Sequence, residues 1–153
     1  LGMESRAIRN SAITASSYRY QGVNTHSVPH YGRLNNVGQL GVSMGAWIAE
    51  NQQAGEYLEI DLGSVMVVVG VATQGRPGGS DYVTSYKISH KTDLTTWLML
   101  KEGGQEKVFS GNSDHYTPVF NWFPSPILAR RIRIIVQDFQ GLPALRAELY
   151  GCI

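Results

Sequence analysis

Apolar residues along this chain fall at alternate positions or in short unbroken runs, each bounded by clusters of Gly, Pro, Asn and Asp. Alternation over four to eight residues marks half-buried strands, and helical periodicity is nearly absent, so the pattern predicts an all-β chain. Tyr57 to Leu62 places Leu58, Ile60 and Leu62 on one face and Tyr57, Glu59 and Asp61 on the other, a half-buried strand ended by Gly63. Val65 to Ala72 is a continuous run rich in β-branched residues, read as a central strand covered on both faces. Thr73 to Asp81, with Pro77, Gly78 and Gly79, is a loop, and Tyr82 to His90 alternates again. Trp97 to Leu100 and Lys107 to Phe109 read as shorter strands joined through the Gly103-Gly104 turn. Arg131 to Gln137 turns Ile132, Ile134 and Val136 inward, and Ala144 to Tyr150 does the same with Leu145, Ala147 and Leu149.

Ser16 to Gly45 departs from this pattern. It is a long stretch of Tyr, Asn, His, Ser, Gly and Pro with little periodicity, well beyond the ~12 to 15 residues at which an irregular segment becomes unusual and often functional. Irregular loops on a β framework are a common recognition surface. No repeat, low-complexity tract or linker divides the chain, which is expected to form one domain over 1–153.

The length of 153 residues suits a domain with a core that needs no staples. Charged residues make up 16%, below the roughly 25% of an average soluble protein, and the balance of 13 Lys plus Arg against 12 Asp plus Glu leaves no broad basic field. Nucleic acid is therefore excluded as a first expectation. No apolar run approaches the ~18 to 20 residues of a spanning helix, so the chain is expected to be soluble, with any targeting segment removed. The lone thiol, Cys152, cannot pair within the chain and by count alone gives no redox compartment.

Gly41-Val42-Ser43-Met44-Gly45 fits the Gly-x-Ser-x-Gly pattern of a hydrolase elbow, yet neither the strand before it nor the helix after it is predicted, so a catalytic Ser43 is disfavoured. His26 and His30 are four apart, but Pro29 lies between them, and solvated loop histidines are the better reading. Asp81, Asp93 and Asp114 sit in turns, where they cap backbone amides; no cofactor is implied, and a structural calcium ion on dispersed loop oxygens stays open. Arg130, Arg131 and Arg133 read as a solvated or salt-bridged strand face. Trp47, Trp97 and Trp122 read as core, Trp122 least securely because Asn121, Pro124 and Pro126 flank it. Tyr18, Arg19, Tyr20, Val23, Val28 and Tyr31 combine amphipathic rings, a cation and apolar tips in the long loop. They can meet a membrane boundary, stack on a sugar or anchor a protein, or else pack on the loop's own base.

The ordered segments Leu1-Gly2-Met3-Glu4, Ile13-Thr14-Ala15-Ser16-Ser17, Arg33-Leu34-Asn35, Ala46-Trp47, Tyr57 to Gly63, Thr73-Gln74-Gly75-Arg76, Tyr82 to Ile88, Gly111-Asn112, Ala129-Arg130, Ile132-Arg133-Ile134 and Leu145 to Cys152 resemble the discoidin, or coagulation factor type C, domain. The resemblance covers the whole chain. It implies a distorted jelly-roll β-sandwich of about eight antiparallel strands, with loops protruding as spikes at one end that bind membranes, glycans or proteins, and no catalysis. By position the spikes are Ser17 to Tyr31, Ile48 to Gly55, Gln74 to Asp81 and Asn112 to Phe120. The ligand-binding set it implies is Tyr18, Arg19, Tyr20, Val23, Arg33, Arg76, Asp81, His115 and Tyr116. Arg33 and Arg76 could point to the binding end or simply pair with loop carbonyls and carboxylates.

The chain also departs from the family. The first spike carries Tyr18, Tyr20 and Val23 where strong phosphatidylserine binders carry Trp, Phe and Leu, and Ile48 to Gln53 lacks the Thr and Asp that grip a terminal arginine in neuropilins. The expectation is a non-catalytic extracellular recognition or adhesion module for a cell-surface glycan or protein, with an anionic membrane as the alternative. In the family the residue at Cys152 is disulfide-bonded to a Cys just upstream of Leu1, a link worth ~4 to 5 kcal/mol in a chain-entropy model. The resemblance thus implies chain ends side by side and an oxidising compartment.

Overall fold

The computed structural model describes residues 1–21, 25–39 and 42–152; Val23 and Gly41 lie outside the described residues. The strands are β1 (Ile13–Ala15), β2 (Tyr20–Gln21), β3 (Thr25–His26), β4 (Trp47–Ile48), β5 (Tyr57–Gln74), β6 (Tyr82–Lys91), β7 (Leu98–Met99), β8 (Lys101–Glu102), β9 (Gln105–Glu106), β10 (Phe109–Ser110), β11 (Val119–Gln140) and β12 (Ala144–Cys152). Their ladders are antiparallel. The main sheet runs β10-β6-β11-β5-β12-β4, with β1 also on β5 and β7 also on β6, while β2-β3 and β8-β9 are separate hairpins.

Two long strands make this sheet curl into a sandwich. Gly63 does not end β5; it turns it, with φ +83° and its amide donating to Asp61 Oδ1 at 2.8 Å. Only glycine adopts that backbone without strain, so the corner follows from the residue that punctuates the alternation. On β11 the register shifts between Trp122 and Ile127 and between Ala129 and Arg131, and such bulges bend and twist a strand. The first half of β5 pairs with β1 (Ile13 opposite Ile60), the second with β12 (Leu149 opposite Val71), so one strand serves both layers.

Inside lie Trp47, Leu58, Ile60, Tyr86, Ile88, Phe109, Ile132, Ile134, Leu145 and Leu149, all essentially inaccessible to solvent. Burying each such side chain is worth about 1.5–3 kcal/mol, which makes this core the main source of stability. Tyr86 stacks on Phe109 at 5.4 Å between ring centroids, and its phenol accepts from Asn121 Nδ2 at 3.0 Å.

Several expectations are corrected here. Val65 to Ala72 is central but is not covered on both faces along its whole length, because Val65 is exposed and Val67 and Val69 are half-buried. Trp122 is not core; it is 70% exposed on a β11 segment that Pro124 and Pro126 had hidden from the pattern. The Gly103-Gly104 turn joins β8 to β9, which lie between the two strands expected, while Leu98–Met99 and Phe109–Ser110 each pair with β6. Trp97 is half-buried, with the Arg133 guanidinium 3.9 Å from its ring centroid and 4.1 Å from that of Tyr57. Arg130, Arg131 and Arg133 do form a paired outer face, against Asp61, Asp93 and Glu59. Burial pushes the Asp61 carboxyl upward, but hydrogen bonds from Arg130 and Gly63 and the nearby charges outweigh it and hold the carboxyl below its usual range.

The chain start lies along β12, where the Leu1 amino group donates to the Leu149 carbonyl at 2.6 Å. Glu148 receives the amides of Met3 at 3.1 Å, Glu4 at 3.0 Å and Leu149 at 2.8 Å, together with that amino group at 3.2 Å. Cys152, three residues on, is exposed and unpaired within the chain.

Candidate functional site

The loops at one end of the sandwich are tied together by side chains from strands. Arg146 is buried in β12 and spends its guanidinium on three main-chain carbonyls: Nε on Gly75 at 2.6 Å, Nη1 on Asn36 at 2.6 Å and Nη2 on His115 at 2.8 Å. Burial away from any carboxylate lowers its pKa to about 10, still far enough above neutrality to keep it charged. Gln74, at the end of β5, accepts the Asn35 amide at 2.8 Å and donates to the Tyr116 carbonyl at 2.9 Å. Asn112 is buried and donates to the carbonyls of Thr73 at 2.8 Å and Thr117 at 3.0 Å. Asp114 then caps the amides of Tyr116 and Thr117 at 2.9 and 2.7 Å, an Asx turn that holds the tip.

The first spike is braced from the other side. Arg19 donates its amide to Ile48 at 2.9 Å, and the buried Trp47 donates Nε1 to the Ser17 carbonyl at 2.8 Å. The short β2-β3 pair sets Tyr20 opposite His26, and their rings stack with centroids 4.4 Å apart. The His26 carbonyl accepts the Met44 amide at 2.9 Å, and Gly45 follows with φ +76°, pressed against Gly38 and Pro77. A continuous line of contacts therefore runs from the first spike to the 75–81 loop.

The nine residues expected to bind are divided by this geometry. Tyr18, Tyr20 and Tyr116 present 45%, 61% and 63% of their surface to solvent, and His115 packs edge-on against Tyr116 at 5.1 Å. Arg19 is half-buried beside them. Arg76 and Asp81 face each other, with Nε 2.7 Å from Oδ2, while Asp81 Oδ1 accepts the Leu142 amide at 3.0 Å. Among the described residues no acceptor lies in line with the Arg76 Nε–H, so this pair is held by charge more than by a directed hydrogen bond. Arg33 does not reach the loop end. It is buried under the N-terminal loop, donating to the carbonyls of Met3 and Ile8, each at 2.8 Å, and to Asn10 Oδ1 at 2.7 Å. A guanidinium so occupied serves to hold the loop, which corrects its placement among the ligand contacts.

The Ser43 amide donates to the Gln39 carbonyl at 3.0 Å, Ser43 forms isolated bridges to His26 and Gln39, and among the described residues no strand-turn-helix surrounds it. Among the described residues no three His, Cys, Asp or Glu side chains gather around one point to hold a metal. Asp81, Asp93 and Asp114 are occupied separately, by Arg76, by Arg130 and by backbone amides.

Arg146, Gln74 and Asn112 were missed as organising residues. The available signal was the pair Arg146 and Glu148 at alternate positions of an apolar strand. Alternation alone assigned them to a solvated face, whereas Ala144 through Leu149 are all buried because loops cover that face too.

The F5/8 type C domain model matches residues 12–149. Lactadherin of Rattus norvegicus is 39% identical over 157 residues, covering 99% of this chain and 36% of the lactadherin, so the chain spans about a third of that relative. Native discoidin II of Dictyostelium discoideum superposes with a TM-score of 0.84 at 24% identity, covering 100% of this chain and 59% of that one. A CBM32 module of Clostridium perfringens, solved in complex with GalNAc-β-1,3-galactose, has a TM-score of 0.68 at 13% identity and covers 91% of this chain and 94% of that one. With its landmarks in order, its antiparallel sandwich and its braced loop end, the chain belongs to the F5/8 type C, or discoidin, domain family.

Proposed function

We propose that the domain is a non-catalytic extracellular recognition and adhesion module that engages a cell-surface glycan or a protein through its loop end. One observation carries this reading: the rings of Tyr18, Tyr20 and Tyr116 stand exposed on loops that buried strand side chains hold in place. Rigid aromatic rings lose little entropy on binding and offer faces for stacking, so a preorganised set of them favours recognition of sugar or protein surfaces. The sandwich also carries a disaccharide in the Clostridium perfringens module, an arrangement the fold therefore tolerates. The Tyr18→Ala, Tyr20→Ala double variant tests the reading on a glycan array and on cells: binding should fall at least tenfold while the melting temperature holds. Unchanged binding would exclude it.

An anionic membrane is the second reading, favoured by Val42, which is exposed and whose carbonyl accepts the amide of His26 in the first spike at 3.4 Å. Of the three arginines in the expected binding set that could meet anionic headgroups, Arg33 is buried and Arg76 is paired, which leaves Arg19. Sedimentation with vesicles of phosphatidylcholine, with and without phosphatidylserine, separates the two readings. Salt-sensitive binding that requires phosphatidylserine supports the membrane.

A further inference from the structure

Between the N-terminal loop and the first spike lies a cleft of ≈ 320 Å³ lined by Arg6, Asn10, His30, Tyr31, Asn36 and Ser43 among others. A second cleft of ≈ 270 Å³ adjoins it through Arg6, Asn36 and Val37 and is floored by Arg33. None of the nine residues expected to bind lines the larger of the two. Three cationic or protonatable groups, Arg6, Arg33 and His30, line the two clefts, and burial, reinforced by the field of Arg33 and Arg6, lowers the pKa of His30. Among the described residues no carboxylate pairs with Arg6. Glu4, in the smaller cleft, is engaged by Asn35 Nδ2 at 2.9 Å.

Two further observations point to a ligand. Arg6 has φ +67°, a left-handed backbone that costs a non-glycine residue of order 1–3 kcal/mol and clusters at functional positions. Arg33, which lines the smaller cleft, is buried, and its Nε–H has no partner among the described residues. The walls are already braced, since Arg33 holds Asn10 Oδ1 at 2.7 Å and Asn36 Nδ2 holds the Tyr31 carbonyl at 3.1 Å. What remains available to a ligand is one guanidinium among neutral hydrogen-bonding groups (amides, a phenol, a hydroxyl and an imidazole), with the exposed side chains of Val37 and Val42 beside them.

We propose that this cleft is a subsite for an acidic saccharide, with Arg6 receiving the carboxylate or sulfate and the surrounding amide and hydroxyl groups receiving the sugar hydroxyls. One free cation among hydrogen-bonding groups, with the exposed Val37 and Val42 in the same lining, suits a charged ring that carries both hydroxyls and apolar C–H faces better than an anionic lipid surface, which calls for several cations. The inference rests on the glycan reading and adds to it the sign of the ligand's charge and a contact outside the spikes.

The test is Arg6→Gly, which removes the charge and relieves the positive φ, so the variant should melt at or above the parent temperature. Calorimetric titration with a hyaluronan tetrasaccharide (carboxylate), a chondroitin sulfate tetrasaccharide (carboxylate and sulfate) and neutral chitotetraose should show the parent binding the acidic probes in preference. Arg6→Gly should weaken the acidic probes about tenfold, the loss expected of one charge-assisted pair, and leave chitotetraose unchanged. Equal affinity for all three probes in the parent, or no effect of Arg6→Gly, overturns the proposal. Binding of phosphatidylserine vesicles that Arg6→Gly abolishes, with none of the saccharides bound, overturns it in favour of a membrane contact. Loss of acidic-probe binding in Arg6→Gly but not in the Tyr18→Ala, Tyr20→Ala variant keeps the cleft and removes the spike tyrosines.

Discussion

Arg146 donates through Nη2 to the main-chain carbonyl of His115 at 2.8 Å, so a buried strand cation fixes the loop that presents Tyr116. The same guanidinium holds Gly75 and Asn36, so the shape of the loop end depends on one side chain rooted in β12. Hydrogen bonds donated by a charged group are worth more than neutral ones, and their acceptors would be left stranded in a buried setting if it were removed.

Arg146→Met should therefore destabilise the domain by roughly 2–4 kcal/mol, with part of the lost bonding offset by the cation no longer needing burial. Arg146→Lys, which keeps the charge but lacks the planar fork, should recover only part of that. Urea unfolding gives the first quantity, and amide exchange should rise first in 34–38, 75–81 and 112–118. Uniform exchange across the molecule would refute the role assigned to Arg146.

Glu148 predicts an acid limit on stability. Burial alone would raise its pKa, but the amides of Glu4, Leu149 and Met3 outweigh it, holding the folded value below the unfolded value of 4.5. A carboxyl depressed on folding stabilises at pH above its unfolded value, and that contribution fades as pH falls from 4.5 through the folded value. Stability of the parent should drop across that window, and Glu148→Gln should be less stable at neutral pH with a flatter acid profile. Parallel profiles for the two proteins, measured by urea unfolding, would show that other carboxyls set the limit.

Gly45 should tolerate no side chain. At φ +76° a Cβ there would press on the Gly38 amide and sit 2.7 Å from the Pro77 ring, so both the backbone and its neighbours would have to shift. Gly45→Ala is expected to cost about 2–4 kcal/mol, combining left-handed strain with overpacking. Gly55→Ala, where φ is +95° but nothing lies within 4 Å, should cost less. Thermal melts of the two variants compare them directly.

Tyr86 should titrate apart from the other tyrosines. Burial in the core pushes its phenol up to about 12, despite hydrogen bonds with Asn121 and Thr73 that act in the opposite direction. In a spectrophotometric alkaline titration one of the eight tyrosines should resist ionisation until near that pH, and Tyr86→Phe should remove that step alone. If the late step persists in Tyr86→Phe, it belongs to another ring.

Strand faces were legible because they depend on near neighbours. Leu58, Ile60, Ile132 and Ile134 alternate with polar residues, and all four are in the core as their alternation requires. Gly63 was visible as punctuation, yet whether a glycine ends a strand or turns a corner depends on whether a partner ladder resumes beyond it, and β11 resumes opposite Met66. The exposed tyrosines were legible as amphipathic rings in an aperiodic loop. Arg33 and Arg146 were not separable in sequence: both are arginines beside loop segments. One lies under the N-terminal loop and the other under the loop end, because β12 and the bridge between Arg33 and Ala147 bring together segments more than a hundred residues apart.

Residue order was enough to establish the all-β class, the inward faces and the family, since each follows from local alternation, turn chemistry and the sequence of landmarks along the chain. Which cations are free and which are structural was decided only on folding. A guanidinium is spent or available according to the carbonyls and carboxylates that distant strands carry to it, and no local pattern encodes those neighbours. Arg6, with no carboxylate partner among the described residues, and Arg146, consumed by three carbonyls, have the same side chain and opposite consequences.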